Sequence, residues 1–392
     1  MKTIDNRGIC SLVMVVALSI GLGIVTHASA NSYLVDLNSR TATELLTGNG
    51  IDPIAINDAG QVAGNFPSYR IYEAFITGPN GMGSTILGTL PGRSQSYAHG
   101  INNAGQVVGD SGTGPGTYCC FVPYHEHAFI TGPNGVGMTD LGTLGGVDSS
   151  AGGINDAGQV VGYSDTADGS SHAFITGPNG VGMTDLGTLG GVDSRAGGIN
   201  AAGQVVGYSD TADGSSHAFI TGANGVGMAD LGTLPGGNSS IALGINAAGQ
   251  VVGNSYADGG SSHAFITGAN GVGMTDLGTL GGDGSRAYGI NDAGQVVGYS
   301  DTADGSRHAF ITGPDGVGMT DLNVLVHLPD GFVMDAAFAI NNMGQMTVSD
   351  LGPVIIPAVP EPESYALMLA GLVLTGVMVR RKQKAGGREK GE

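Results

Sequence analysis

The chain has 392 residues, only 12% of them charged, and a net charge of −19. Between Asn31 and Val359 there are 28 Asp and Glu against six Arg and no Lys, leaving 22 net negative charges. Such a surface repels nucleic acid and anionic lipid and argues against both as partners. The stretch holds only Cys119 and Cys120, which are adjacent and unable to staple distant elements, so stability has to come from packing.

Lys2 and Arg7 precede an apolar run from about Ile9 to Val25, followed by Ala28, Ser29 and Ala30. A basic start, a short apolar run and an A-x-A site predict a secretory signal over residues 1–30, the mature chain starting at Asn31. Cys10 lies at the start of the apolar run rather than after it, which argues against a lipoprotein signal.

From 31 to 357 one phrase dominates. Ile-Asn-x-x-Gly-Gln begins at Ile56, Ile101, Ile154, Ile199, Ile245, Ile290 and Ile340, a period of about 45 residues that marks a repeat architecture. One unit reads as four short segments rich in Val, Ile, Thr and Phe, starting at His172, Met183, Ala196 and Gln204 and separated by Pro, Asn, Asp and Gly clusters. Gly supplies positive φ in those turns, Pro presets their entry, and Asn or Asp bonds its own backbone. The 73 glycines recur at fixed places in this pattern, which favours order over a disordered Gly-rich chain.

Four strands per unit and seven units predict an all-β chain, a seven-bladed β-propeller of four-stranded repeats. The alternative is a β-solenoid, which has no reason to stop at seven and needs end caps. Ala-Phe preceded by His or Glu occurs six times, at Phe75, Phe129, Phe174, Phe219, Phe265 and Phe310, so one unit lacks its first strand. Tyr33 to Leu37 matches the Asp-Leu strand of the unit. Val354 to Ile356 is expected to supply the missing strand beside Leu34 to Leu37, closing the ring from both termini.

Candidate chemistry is sparse. His127, His172, His217, His263 and His308 stand at equivalent points of different blades, too far apart to share one metal ion, and each is expected to bond within its own blade. The loops around Asp165/Asp168, Asp210/Asp213 and Asp301/Asp304 pair carboxylates with a turn Gly. A calcium site usually needs six to eight oxygens, and Asp-Gly hairpin turns explain the same residues, so no cofactor is expected and calcium stays a weak alternative. No nucleophile elbow, zinc-binding helix or phosphate loop occurs in a supporting context. The largest departure from repetition lies between Asp110 and Glu126, where the unit lengthens and gathers Tyr118, Cys119, Cys120, Phe121 and Tyr124. Thiols and aromatics in a loop of an aromatic-poor chain make this the candidate partner-contact loop.

At the C-terminal end, Val359, Pro360, Glu361 and Pro362 precede an apolar run over 365–379, and Arg380, Arg381 and Lys382 follow it at once. The basic cluster behind an apolar helix predicts a transmembrane segment with its C-terminus held on the cytoplasmic side. These three parts, covering 358–392, resemble the PEP-CTERM sorting signal of Gram-negative bacteria. That resemblance implies transient inner-membrane anchoring, processing by an exosortase, and release to the cell surface or an exopolysaccharide matrix. The body, through its His-Ala-Phe units, resembles the HAF repeat of extracellular bacterial proteins, which implies export and a repeat fold without an agreed activity. The expected role is therefore non-catalytic: an exported surface or matrix scaffold for exopolysaccharide or protein interaction. The alternative is a polysaccharide-acting propeller enzyme, a hydrolase or lyase, which clustering of unlike polar residues at one mouth of the ring would favour.

Overall fold

The computed structural model of the chain describes residues 32–45, 51–68, 71–113, 125–257, 261–328 and 333–350. The expected signal segment, the loop residues Tyr118 to Tyr124 and the sorting segment over 358–392 lie outside the described residues. Among those described, no helix is long and apolar enough to cross a membrane.

Seven four-stranded antiparallel sheets form the body, each one blade of a β-propeller. In the third blade the strands run Gly145–Ile154, Val160–Thr166, Ser171–Thr176 and Met183–Asp185, the first of them against the central channel. The inner strands of the other blades, in chain order, are Asp52–Ile56, Gln95–Ile101, Gly190–Ile199, Gly237–Ile245, Gly281–Ile290 and Met334–Ile340. A sequence unit beginning at His-Ala-Phe therefore straddles two blades. It supplies the outer two strands of one and the inner two of the next.

The period of two places small and branched residues against the neighbouring blade rather than in a core private to each sheet. Val108, Ala128 and Ile130 of the second blade pack on Val160 and Phe174 of the third, and the same cluster recurs around the ring. The six His-Ala-Phe and Glu-Ala-Phe phenylalanines are fully buried, each side chain contributing roughly 1.5–3 kcal/mol. Serine adds a polar latch at the same seam. Ser194 Oγ accepts from the Ala173 amide of the preceding blade at 2.9 Å and donates to Gly187 O at 2.6 Å.

Gly162 shows why the second strand needs glycine. The inner strand bulges between Ala151 and Gly153, and its Ser150 carbonyl would lie 2.0 Å from a Cβ at position 162.

The closing blade corrects the sequence expectation in one respect. Strands from both ends of the propeller do close the ring, in the order Thr41–Glu44, Ser32–Asp36, Gln345–Asp350, Met334–Ile340. Leu34 pairs with Thr347 on one side and Thr43 on the other, so both edges of its strand are occupied by Gln345–Asp350 and Thr41–Glu44; Val354 to Ile356 lie outside the described residues. The N-terminal strand also stands in the His-Ala-Phe position rather than the Asp-Leu one. Tyr33 pairs with Val348 as Phe174 pairs with Gly162, and Tyr33 is buried where the other blades carry Phe.

Candidate functional site

The Ile-Asn-x-x-Gly-Gln phrase forms the turn between the first and second strands of each blade, and its function is to join blades. Asn155 Oδ1 accepts from the amides of Ala157 and Gln159, which fixes its own turn. Its Nδ2 donates to Gln159 Oε1 and to the carbonyl of Asn200 in the next blade, at 2.9 and 3.1 Å. Asn57, Asn102, Asn200, Asn246 and Asn291 repeat the inter-blade bond, and Asn341 returns it to Asn57, so seven bonds of 2.9–3.4 Å close a circle. Gln159 Nε2 then reaches Asn224 Oδ1 in the next blade's third-to-fourth turn, at 3.3 Å. Asn224 sits there at φ 54°, a left-handed position that Asn tolerates.

This end of the channel is narrow and acidic. It encloses about 230 Å³ and is lined by Asp58, Asp156 and Asp292 as well as the Asn ring. Asn342 Nδ2 bridges Asp58 and Asp292, and Asn103 Nδ2 bridges Asp58 and Asp156, at 3.0–3.4 Å. Among the described residues, no group of three or more His, Cys, Asp or Glu is placed to hold a metal ion.

The opposite mouth is wider and chemically unlike it. A cavity of about 520 Å³ is lined by His99, Tyr163, Arg195, Tyr208, Tyr288 and Phe338 among others, and by no Asp or Glu. Tyr163 and Tyr208 repeat one position of the second strand, and the variation lies on the inner strands. The inner-strand residue two before each phrase Ile is Ile54, His99, Gly152, Gly197, Leu243, Tyr288 or Phe338, so this one column holds five different side chains and two glycines. Arg195 lies over the Tyr163 ring at 4.2 Å, and Tyr288 packs on Phe338 and Tyr299 with ring centroids 5.5 and 5.9 Å apart.

Two carboxylates support this mouth from behind its wall. Asp110 Oδ1 accepts from Ser150 Oγ at 2.9 Å and pairs with His99 Nε2 at 2.7 Å. Glu126 Oε1 accepts from the Tyr163 hydroxyl at 2.9 Å. Burial, followed by the charge of Glu126 and its hydrogen bond, pushes the Tyr163 phenol well above its ordinary value; burial also raises Tyr288. Both hydroxyls thus stay protonated at neutral pH. Ser150 donates to Asp110 and not to His99, so the imidazole does not activate it as a triad base would.

The five repeat histidines each bond an Asp of the neighbouring strand within their own blade. His172 Nδ1 meets Asp185 Oδ2 at 2.8 Å, and the other four pairs fall at 2.7–2.9 Å. In the Asp-Gly loops, Asp168 Oδ1 accepts from Thr166 Oγ1 and the Ser170 amide, which turns one carboxylate oxygen into its own hairpin. Asp213 and Asp304 repeat the arrangement and, like Asp168, titrate below the usual 3.8 because the Thr hydroxyl stabilises the charged form. The candidate partner loop joins the second and third strands of the second blade, and its ends meet where Thr113 N donates to His125 O at 3.0 Å. Its flanking residues Asp110 and Glu126 are the two carboxylates that brace the wide mouth. Sequence reasoning missed that mouth because its inner-strand side chains vary from blade to blade. Comparing one column across the seven units would have found it.

Comparison with curated protein sequences finds no significant match. Similar solved structures include the β-propeller domain of the Trilobed protease from Pyrococcus furiosus, at 12% identity and TM-score 0.51, covering 75% of this chain and 87% of that one. A puromycin-hydrolyzing peptidase of Mycobacterium tuberculosis matches at 12% identity and TM-score 0.51, covering 74% of this chain and 50% of that one. TolB from Acinetobacter baumannii matches at 10% identity and TM-score 0.45, covering 83% and 64%. The chain thus spans about half the length of the mycobacterial peptidase, and at these identities the likeness is one of fold. Residues 358–382 match the PEP-CTERM protein-sorting motif, which implies export and membrane-associated processing by an exosortase in a Gram-negative bacterium.

Proposed function

We propose that the protein is a non-catalytic component of the cell surface or extracellular matrix that binds exopolysaccharide through the wide mouth of its propeller. The observation that carries this reading is the contrast between the two mouths. One is a repeated Asn and Asp ring engaged in holding blades together, the other a wide cavity of unlike aromatic and cationic side chains. Its volume falls in the range of about 300–1,000 Å³ typical of ligand sites. Tyrosine faces provide the amphipathic stacking surface that sugar rings use, in a chain without Trp. Export with the sorting signal would deliver this cavity to the polymer.

A second reading, a polysaccharide-acting enzyme, is favoured by one observation: His99, Asp110 and Tyr163 converge at the same mouth. Incubating the exported protein with exopolysaccharide separates the two. Binding predicts co-sedimentation with unchanged polymer length; release of reducing ends or unsaturated products would establish the enzyme and overturn the non-catalytic reading.

A further inference from the structure

We infer that the wide mouth selects acidic saccharides, with the carboxylate of a uronic-acid-type residue held by Arg195 while its ring stacks on the adjoining tyrosines. This rests on the saccharide-binding reading above and adds the charge class of the ligand.

The distribution of charge carries the argument. The body holds 28 carboxylates and six Arg, so a cavity with random lining would be acidic, as the narrow mouth is. The wide cavity instead has Arg195 in its wall and no carboxylate. Acidic residues next to it are turned to other partners, Asp110 to His99 and Ser150, Glu126 to Tyr163.

Neither Arg195 nor Arg286 forms an ion pair within 4 Å among the described residues, although carboxylates outnumber arginines more than four to one. Arg195 is exposed and its Cζ lies over the Tyr163 ring, 4.2 Å from the centroid, a placement that leaves its donors for an incoming acceptor. Arg286 occupies the same inner-strand position two blades on, opposite Tyr299 as Arg195 is opposite Tyr208. Its Nε is buried without a hydrogen-bond partner, and its Cζ lies 5.4 Å from the ring of Tyr288, which lines the cavity. A planar, unpaired guanidinium matches a carboxylate with two parallel bonds, which a hydroxyl-only sugar cannot reproduce.

The blade between them presents Ile241 and Leu243 to the cavity, an apolar floor suited to the C–H face of a pyranose rather than to a strongly hydrated inorganic anion. Charge from Arg and stacking from Tyr in one cavity thus specify an acidic ring rather than a neutral sugar or a simple anion.

The test is calorimetric titration of the full chain with a mannuronate trisaccharide and, separately, a mannose trisaccharide of the same linkage. The acidic ligand is expected to bind roughly tenfold or more tightly than the neutral one, with affinity falling as salt rises. Arg195→Gln, at an exposed position, should remove that preference, whereas Arg40→Gln, in a turn on the narrow-mouth face, should leave it intact. Equal affinity for both ligands, or a preference unchanged in Arg195→Gln, would overturn acid selection while leaving saccharide binding standing. No binding of either ligand at millimolar concentration would overturn both.

Discussion

Asn341 donates its side-chain amide to the carbonyl of Asn57 at 2.9 Å, across 284 positions of sequence. The contact is the same one that Asn155 makes to Asn200 within the run of near-identical units. Equivalence of a local seam and the seam between the chain's two ends is what makes the repeat a ring rather than a stack, and it sets the first prediction. Asn341→Ala and Asn200→Ala should each lower stability by about 1–3 kcal/mol, because each leaves buried turn amides and a neighbouring carbonyl without partners. Denaturant midpoints of the two variants should agree closely. In an open stack Asn341→Ala would cost less than Asn200→Ala, because only its own turn would lose bonds.

The seventh blade provides an independent check at its core. Tyr33 fills the position held by Phe219 elsewhere, and both are buried. Tyr33→Ala should therefore cost as much as Phe219→Ala, about 3–5 kcal/mol, since each empties an inter-blade cluster. A near-neutral Tyr33→Ala in thermal unfolding would mean that the N-terminal strand does not close the ring.

Gly162→Ala is a small change with a large predicted effect. The added methyl meets Ser150 O at 2.0 Å, and backbone on both strands has to move. A loss of about 1–3 kcal/mol or more is expected by chemical denaturation.

The Asp-Gly loops carry a pH dependence of defined sign. Asp168 is held below its usual 3.8 first by the Thr166 hydroxyl and then by the Ser170 amide. A depressed folded value means that the carboxylate favours the folded loop above the unfolded pKa. That contribution fades as pH falls through the folded value, so the window lies below 3.8. Carboxyl NMR titration should place Asp168 below 3.8 in the native chain and move it part of the way back toward that value in Thr166→Val, the Ser170 amide still bonding the carboxylate.

Much of this architecture is legible in the sequence because repetition multiplies weak signals. A single Ile-Asn-x-x-Gly-Gln says little, but seven copies give period, blade number and turn positions together. Closure was harder to read, since the N-terminal strand carries Ser32, Tyr33 and Leu34 in place of Ala, Phe and Ile and so hides its equivalence. Only the register with Gln345–Asp350 reveals it. The wide mouth was illegible for the opposite reason. Residues such as His99, Tyr288 and Phe338 break the repeat singly, and only the curvature of the ring brings blades far apart in sequence to one cavity.

The sorting signal predicts a covalent outcome separate from binding. Mass spectrometry of the exported protein should find no peptides beyond about Glu363, and Arg380 and Arg381 should be absent outside the cell. Recovery of an intact basic tail there would refute processing.

The most direct measurement of the central claim is a crystal structure of the exported protein with the mannuronate trisaccharide. The account predicts an uncleaved ligand in the wide mouth, one carboxylate against Arg195 and a sugar face on the tyrosines. A ligand found only elsewhere on the propeller, or present as a cleaved product, would contradict it.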